Sequence, residues 1–429
     1  MKKLQYWSYY REMEKHQLSS TLTKEDYNFI DSLKEHYRFS FQQTRQIIEV
    51  ASDLRMWDLG PVEKYWHDDN KELPSDKIRT KKLLSNFFNQ IDQIKKEPTK
   101  YSDFVVNHSY SKKEVVVEQD DWRTLIGYCP CPSVKEKPRC CNLYTLDLVR
   151  QCGFECSYCS IQSFYDNDKI LFTADIEKRL NSLELPKHIW HIGTGQSSDS
   201  LMWGNNHNVL SSLASFANKH KDVVIELKTK SARTDWLDEV SFPNNVVATW
   251  SLNGKTIIEK EEHGSASLNK RLEAALKSVE RGMKVGFHLH PMVYYENWEE
   301  EYREIVEKIT TNFDKKDVVM ISFGTLTFTK EVLKQLRLGQ KRSRVLQMEM
   351  VEVAGKYSYS DEIKINLFKT AYDYFPTEWK QQGPFFYLCM EKSSLWLPTL
   401  QTEYSSDEHF EQEMKKQYYK KLNIACSES

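Results

Sequence analysis

The sequence lacks any long apolar run. Stretches such as KDVVIELKTK and VVMISFG stop well short of the ~18 to 20 consecutive apolar residues that span a bilayer, so no membrane-spanning helix is expected. No signal peptide is expected either, because MKKLQYWSYYREMEK carries charges and tyrosines where one needs a hydrophobic segment. Cysteine is sparse: 9 in 429 residues is far below the density of small disulfide-held secreted scaffolds, and a cytoplasmic protein with reduced thiols is the expectation. Positive charge is not in excess. A formal net charge of -2 at pH 7 gives no global attraction to polyanions, so nucleic-acid binding would need a local patch. No internal repeat is present.

What is there is enough for a large core. With 40% hydrophobic residues over 429 positions, the length suggests two or three modules. Residues 1–125 read as mainly helical: TLTKEDYNFIDSLKEHYRF opens with Thr23 as an N-cap, FSFQQTRQIIEVASDLRMW follows with apolar positions at helical spacing, and DKIRTKKLLSNFFNQIDQIKK supplies one more helix. The first stretch with strand character is KKEVVVEQ.

From about residue 143 the pattern changes. Short apolar runs LYTLDLV, HIWHIG, DVVIELK, NVVATWSL, KVGFHLHPM and DVVMISFG alternate with helical stretches such as HNVLSSLASFANKH, SLNKRLEAALKSVERG and NWEEEYREIVEKI. Repeated βα units imply a parallel sheet with right-handed crossovers. Six of them suit an open or partial barrel, with functional groups gathered at the C-terminal ends of the strands. The fold expected is α/β: a partial (β/α)6 barrel over 126–345, a mainly helical region over 1–125, and a small α/β region over 346–429 in which the helix EIKINLFKTAYDYF and the strand PFFYLCM complete the barrel.

Cys152, Cys156 and Cys159 in QCGFECSYCS have the spacing C-x3-C-x2-C directly after the first barrel strand. Three thiols without a fourth suit a [4Fe–4S] cluster with one iron left open to a ligand, whereas structural zinc wants four protein ligands. Upstream, Cys129, Cys131, Cys140 and Cys141 form C-x-C-x8-C-C, which is not a zinc-knuckle spacing. Three readings stand for them: a second metal or cluster, a redox pair, or buried thiols among turn prolines.

At the three-cysteine motif the sequence resembles the radical SAM superfamily. The blocks HIGTGQSSDSL, ELKTKSARTDWL, ATWSLN, EEHGSASLNKRLEAALK, VGFHLHPMVYYENWEEEYREIV and YLCME are similar, in the same order, to those of the spore photoproduct lyase family, over roughly residues 143–391. The resemblance implies a cytoplasmic radical SAM lyase. A reducing electron donor such as flavodoxin or ferredoxin feeds the cluster, S-adenosylmethionine is cleaved to methionine and a 5′-deoxyadenosyl radical, and the radical abstracts hydrogen from substrate. DNA carrying a pyrimidine photoproduct would be that substrate.

Residue by residue, the resemblance places Gly193, Thr194 and Gly195 in the turn that binds the SAM amino group, Lys230 at the SAM carboxylate and Ser251 at a polar contact to SAM. The ordinary alternatives are a simple turn, a solvated lysine and a helix cap. His288 and His290 lie two apart on a strand and share a face, where histidines more often hydrogen-bond within a polar lining than bind metal. Glu262, His263 and Arg271 are either contacts to SAM or substrate, or loop–helix caps. Lys356, Tyr357 and Tyr359 resemble a basic and aromatic segment facing the damaged dinucleotide, with a solvated loop as the ordinary alternative. Arg337, Lys341, Arg342 and Arg344 in LRLGQKRSR are the best phosphate-binding candidates by charge, against the usual reading of a solvated face.

Two departures stand out. The lyase carries a hydrogen-donating cysteine in the GTGQSSD block, and here the aligned residue is Gln196; a tyrosine after the last cluster cysteine is here Ser160, although Tyr158 matches the tyrosine before it. The candidate catalytic residues are therefore Tyr158, Gln196 and, as an alternative thiol, Cys389 in YLCME, whose ordinary reading is a buried core thiol. Two other functions stay open: a member of this family acting on a modified nucleoside, peptide or small molecule, and a non-catalytic nucleic-acid-binding protein with a structural metal site.

Overall fold

The computed structural model describes residues 13, 16–69, 76–106, 113–118, 124–129, 139–161, 169–339, 341–353 and 355–425. The chain forms two compact units. One comprises 1–108, 294–296 and 328–350; the other comprises 109–293, 297–327 and 351–429.

In the first unit, helices α1 (Lys24–Tyr37), α2 (Phe41–Met56) and α3 (Lys77–Lys96) start where the sequence supplies caps. Thr23 Oγ1 accepts from the Asp26 amide, Ser40 and Gln43 form a reciprocal capping box, and Asp76 accepts from the Arg79 amide. Their apolar stripes bury Ile30, Ile47, Leu54, Trp57 and Phe87. Each such side chain contributes about 1.5–3 kcal/mol by leaving water. The LRLGQKRSR stretch belongs to this unit, and acidic partners within the unit engage its cations. Arg337 grips buried Asp53 with two bonds of 2.7 and 2.9 Å, Arg342 pairs with Asp58 at 3.1 Å, and fully buried Arg344 reaches Asp103 at 2.7 Å and the Trp57 carbonyl at 2.7 Å. Arg337 and Arg344 thus tie elements of the unit together, whereas the Arg342 pair lies on the surface.

The second unit is built on one eight-stranded sheet: β1 (Ile126–Tyr128), β2 (Tyr144–Leu146), β3 (His191–Thr194), β4 (Val224–Thr229), β5 (Val246–Ser251), β6 (Lys284–Met292), β7 (Val318–Thr325) and β8 (Phe385–Leu388). Their spatial order follows the chain from β1 at one edge to β8 at the other. Pairing is parallel from β2 to β8, and β1 joins β2 antiparallel. Each expected apolar run is one of these strands. Helices α4 (Val209–Lys219), α5 (Leu268–Glu280), α6 (Trp298–Asn312), α7 (Asp361–Asp373) and α8 (Asp407–Leu422) accompany them. The sheet curls into the partial barrel expected for an α/β radical SAM fold. Strands buried on both faces, such as VVMISFGT with every residue buried, read as continuous apolar runs because helices cover one face and the barrel interior the other. Among the described residues, no helix is long and apolar enough to cross a membrane.

Candidate active site

Gln151 takes a left-handed turn (φ 66°) just past the C-terminal end of β2 and starts the cysteine loop. Two serines after β3 brace this exit: Ser198 Oγ donates to the Gln151 carbonyl at 2.8 Å, and Ser197 Oγ donates to Asp147 at 2.8 Å. Lys113 Nζ donates to the Cys152 carbonyl at 3.0 Å. Glu155 and Cys156 then pair antiparallel with His263 and Glu262, and the Ser157 amide donates to the Glu261 carbonyl at 2.8 Å. The loop is thus stitched by backbone to the chain after β5.

Side chains complete the attachment. The Tyr158 hydroxyl donates to Glu262 Oε1, and Arg271 Nη2 donates to Glu262 Oε2 at 2.5 Å. Arg271, wholly buried, also donates to the carbonyls of Ser251 and Ala266, each at 2.7 Å, while the Ala266 amide donates to the Lys230 carbonyl at 3.2 Å. Lys230 Nζ lies 6.0 Å from the centre of the Tyr158 ring. One buried network therefore fixes Cys156, Tyr158, Lys230 and Ser251. Burial works against the Glu262 carboxylate, but the Arg271 and Lys230 cations outweigh it and hold its pKa below the usual range. Tyr158 is pushed well above its ordinary value, by burial first and then by the Glu262 charge, so it stays a neutral donor.

The turn after β3 is equally determined. Gly195 has φ +77°, and a Cβ there would lie 2.6 Å from Ser200 Oγ and 2.9 Å from the Lys228 carbonyl, so only glycine fits. Buried Asp199 organises the neighbouring strand ends. Its Oδ1 accepts from the Leu201 and Met202 amides and from Thr229 Oγ1, and its Oδ2 accepts from the Lys230 amide at 2.7 Å. The Thr194 hydroxyl is occupied with Ser200 (2.6 Å) and the Glu226 carbonyl (3.2 Å), which leaves the backbone of 193–195 as the part of this turn that can meet a ligand. Gln196 Nε2 is buried and has no hydrogen-bond partner among the described residues.

Below this rim the interior is polar. Glu226 accepts from His191 (3.0 Å), His288 (2.7 Å) and Thr249 (3.0 Å), and His288 Nδ1 bonds Ser322 Oγ at 2.6 Å. Burial lowers the pKa of His288 despite Glu226 and brings His290 down to about 3, so both rings are neutral at physiological pH. His288 is thus part of a hydrogen-bonded lining. Tyr359 is buried, and Tyr357 donates to Glu352 at 2.9 Å.

Cys152, Cys156 and Cys159 lie on one short loop, with the Cys159 amide bonded to the Cys156 carbonyl at 3.1 Å. Burial pushes the Cys156 thiol up to about 12, against the pull of Lys230, so metal binding there must displace a proton. Among the described residues, no three Cys, His, Asp or Glu side chains converge on the position of one metal ion. A cuboidal cluster makes no such demand, because each thiolate binds a different iron and the sulfurs stand further apart. Cys389 is not at this loop: it follows β8, with its amide bonded to the Phe323 carbonyl at 2.7 Å, beside the upstream cysteines 129, 140 and 141. Cys131 lies outside the described residues. Asp199, Glu226 and the linking role of Arg271 were not singled out from sequence. Asp199 alone had a local signal, as the acid that closes GTGQSSD.

The sequence model of the family described as spore photoproduct lyase matches residues 135–369. The chain belongs to the spore photoproduct lyase family. The spore photoproduct lyase of Clostridium acetobutylicum is 25% identical over 181 residues, 41% of this chain and 54% of that protein; that of Bacillus subtilis is 35% identical over 81 residues, 19% and 24% respectively. The chain spans about half the length of the first of these relatives. A solved spore photoproduct lyase complexed with dinucleoside spore photoproduct shares the fold, with a TM-score of 0.50 and 23% identity over 64% of this chain and 82% of that one.

Proposed function

We propose that this member of the spore photoproduct lyase family uses a [4Fe–4S] cluster and S-adenosylmethionine to abstract hydrogen from a substrate, with a pyrimidine photoproduct in DNA as the substrate class. The observation that carries the reading is the buried network through Glu262 and Arg271, which fixes a cysteine of the loop, a lysine and a strand-end serine relative to one another. Cys152, Cys156 and Cys159 would hold the cluster. The backbone of Gly193, Thr194 and Gly195, together with Ser251, would meet the amino end of S-adenosylmethionine, and Lys230 its carboxylate. When bound, cluster and cofactor together supply homolytic C–S cleavage and hydrogen-atom abstraction. Tyr158 acts as a positioning residue, because its hydroxyl is committed to Glu262. A small electron carrier such as flavodoxin or ferredoxin is the proposed reductant.

Gln196 favours a second reading within the same chemistry. An amide N–H is a poor hydrogen-atom donor compared with a thiol, so a substrate that needs no thiol to finish the reaction, such as a modified nucleoside or peptide, suits this site as well. Product analysis separates the two. Reduced protein incubated anaerobically with S-adenosylmethionine and dinucleoside spore photoproduct is expected to release thymidylyl-thymidine. Formation of 5′-deoxyadenosine with the photoproduct untouched selects the second reading, and absence of both overturns the proposal.

A further inference from the structure

Four thiols outside the loop of Cys152, Cys156 and Cys159 are gathered from three places in the chain. Cys129 directly follows β1, one edge of the sheet; Cys389 directly follows β8, the other edge; Cys140 and Cys141 lie on the connection leading into β2. Backbone bonds set their places. The Cys129 amide donates to the Leu143 carbonyl at 2.9 Å, and the Cys389 amide donates to the Phe323 carbonyl at 2.7 Å. The Arg139 amide donates to the Glu391 carbonyl at 3.2 Å, which brings the Cys140–Cys141 pair to the end of β8. Helix α8 reinforces the junction: Arg139 pairs with Asp407 at 3.3 Å, and Glu411 accepts from Asn142 at 2.7 Å and Trp190 at 2.8 Å.

The thiols also share one charged neighbour. Lys228 stands on β4 on the same face as Glu226, and its ammonium is within electrostatic reach of Cys129, Cys141 and Cys389. Cys389 is within electrostatic reach of Cys129 and Cys140, and Cys141 of Cys129, Cys140 and Cys389, while the Asn142 amide donates to Cys140 Sγ at 3.4 Å. Adjacent cysteines fit poorly around one tetrahedral ion, and no described trio converges on a single-ion position. A cluster lets each thiolate bind a separate iron, and the half-buried ammonium of Lys228 offsets part of the excess negative charge of four thiolates.

We propose that Cys129, Cys140, Cys141 and Cys389 ligate a second iron–sulfur cluster, which clips the two edge strands of the partial barrel together beside Lys228. It stands apart from S-adenosylmethionine chemistry at the first site, and the test keeps the two separate. Full-length protein reconstituted anaerobically with iron and sulfide should hold about eight irons per chain, falling to about four in Cys141→Ser with Cys389→Ser. The reciprocal variant, with Cys152, Cys156 and Cys159 all changed to Ala, should retain about four irons and a cluster absorption band. Circular dichroism on each variant reports whether it is folded, and removing iron from the reciprocal variant should lower its thermal midpoint. Four irons in the wild type, all lost in the reciprocal variant, would overturn the proposal, as would a zinc ion in place of the second set of irons.

Discussion

Arg271 Nη2 and Glu262 Oε2 lie 2.5 Å apart, and both side chains are removed from solvent. Removing one partner of such a pair leaves an uncompensated buried charge, at a cost of about 3–5 kcal/mol. Arg271→Ala should therefore lower the thermal midpoint markedly and reduce iron uptake at Cys152, Cys156 and Cys159, because Glu262, which anchors Tyr158, loses its counter-ion. Calorimetry with iron analysis checks both; unchanged iron uptake would detach this pair from the cysteine loop.

The same pair sets a pH dependence. The pKa of Glu262 in the folded chain lies below its ordinary value of 4.5, so its contribution to stability is complete above that value and is lost as pH falls through the folded-state pKa. Unfolding midpoints measured from pH 7 down to 3 should fall more steeply for the wild type than for Glu262→Gln, so that the two curves draw together at the acid end.

Lys230 provides a test of cofactor binding. A charge-assisted bond to a carboxylate contributes about 1.5–3 kcal/mol, so Lys230→Ala should weaken S-adenosylmethionine binding by roughly one to two orders of magnitude while iron content stays the same. Equal affinity in titration calorimetry would return Lys230 to the role of a solvated side chain.

Under the proposed function, Gln196 stands where a hydrogen donor would end the reaction. Gln196→Cys introduces a hydrogen-atom donor where Nε2 has no partner among the described residues. With dinucleoside spore photoproduct, this variant should give a larger fraction of thymidylyl-thymidine and fewer side products than the wild type, as read by chromatography of the products. Clean wild-type repair that Gln196→Cys does not improve would show that no thiol is needed there.

Arg337 distinguishes structure from nucleic-acid contact. Its two bonds to buried Asp53 mean that Arg337→Ala should cost about 1–3 kcal/mol of stability. Retention of DNA on a filter at fixed salt should not change. Reduced retention with unchanged stability would make Arg337 a phosphate contact.

The strands from Tyr144 to Leu388 were legible because apolar runs and helical periodicity are local signals, as was the cap at Thr23. Relations across long sequence distances were not. LRLGQKRSR reads as a cationic patch until Asp53 and Asp103 come into view, 284 and 241 positions from their arginines. Asp199 closes GTGQSSD, but its organising part shows only in the four donors the fold brings around it. Cys389 reads as a lone strand thiol because β8 and the end of β1 are joined only by the fold.

The most direct test of the central claim is the yield of 5′-deoxyadenosine from anaerobically reconstituted, dithionite-reduced protein given S-adenosylmethionine, with Cys156→Ala run in parallel. The expected result is 5′-deoxyadenosine and methionine in equal amounts from the wild type and none from the variant. Wild-type protein that carries its full complement of iron yet leaves S-adenosylmethionine intact would contradict the account.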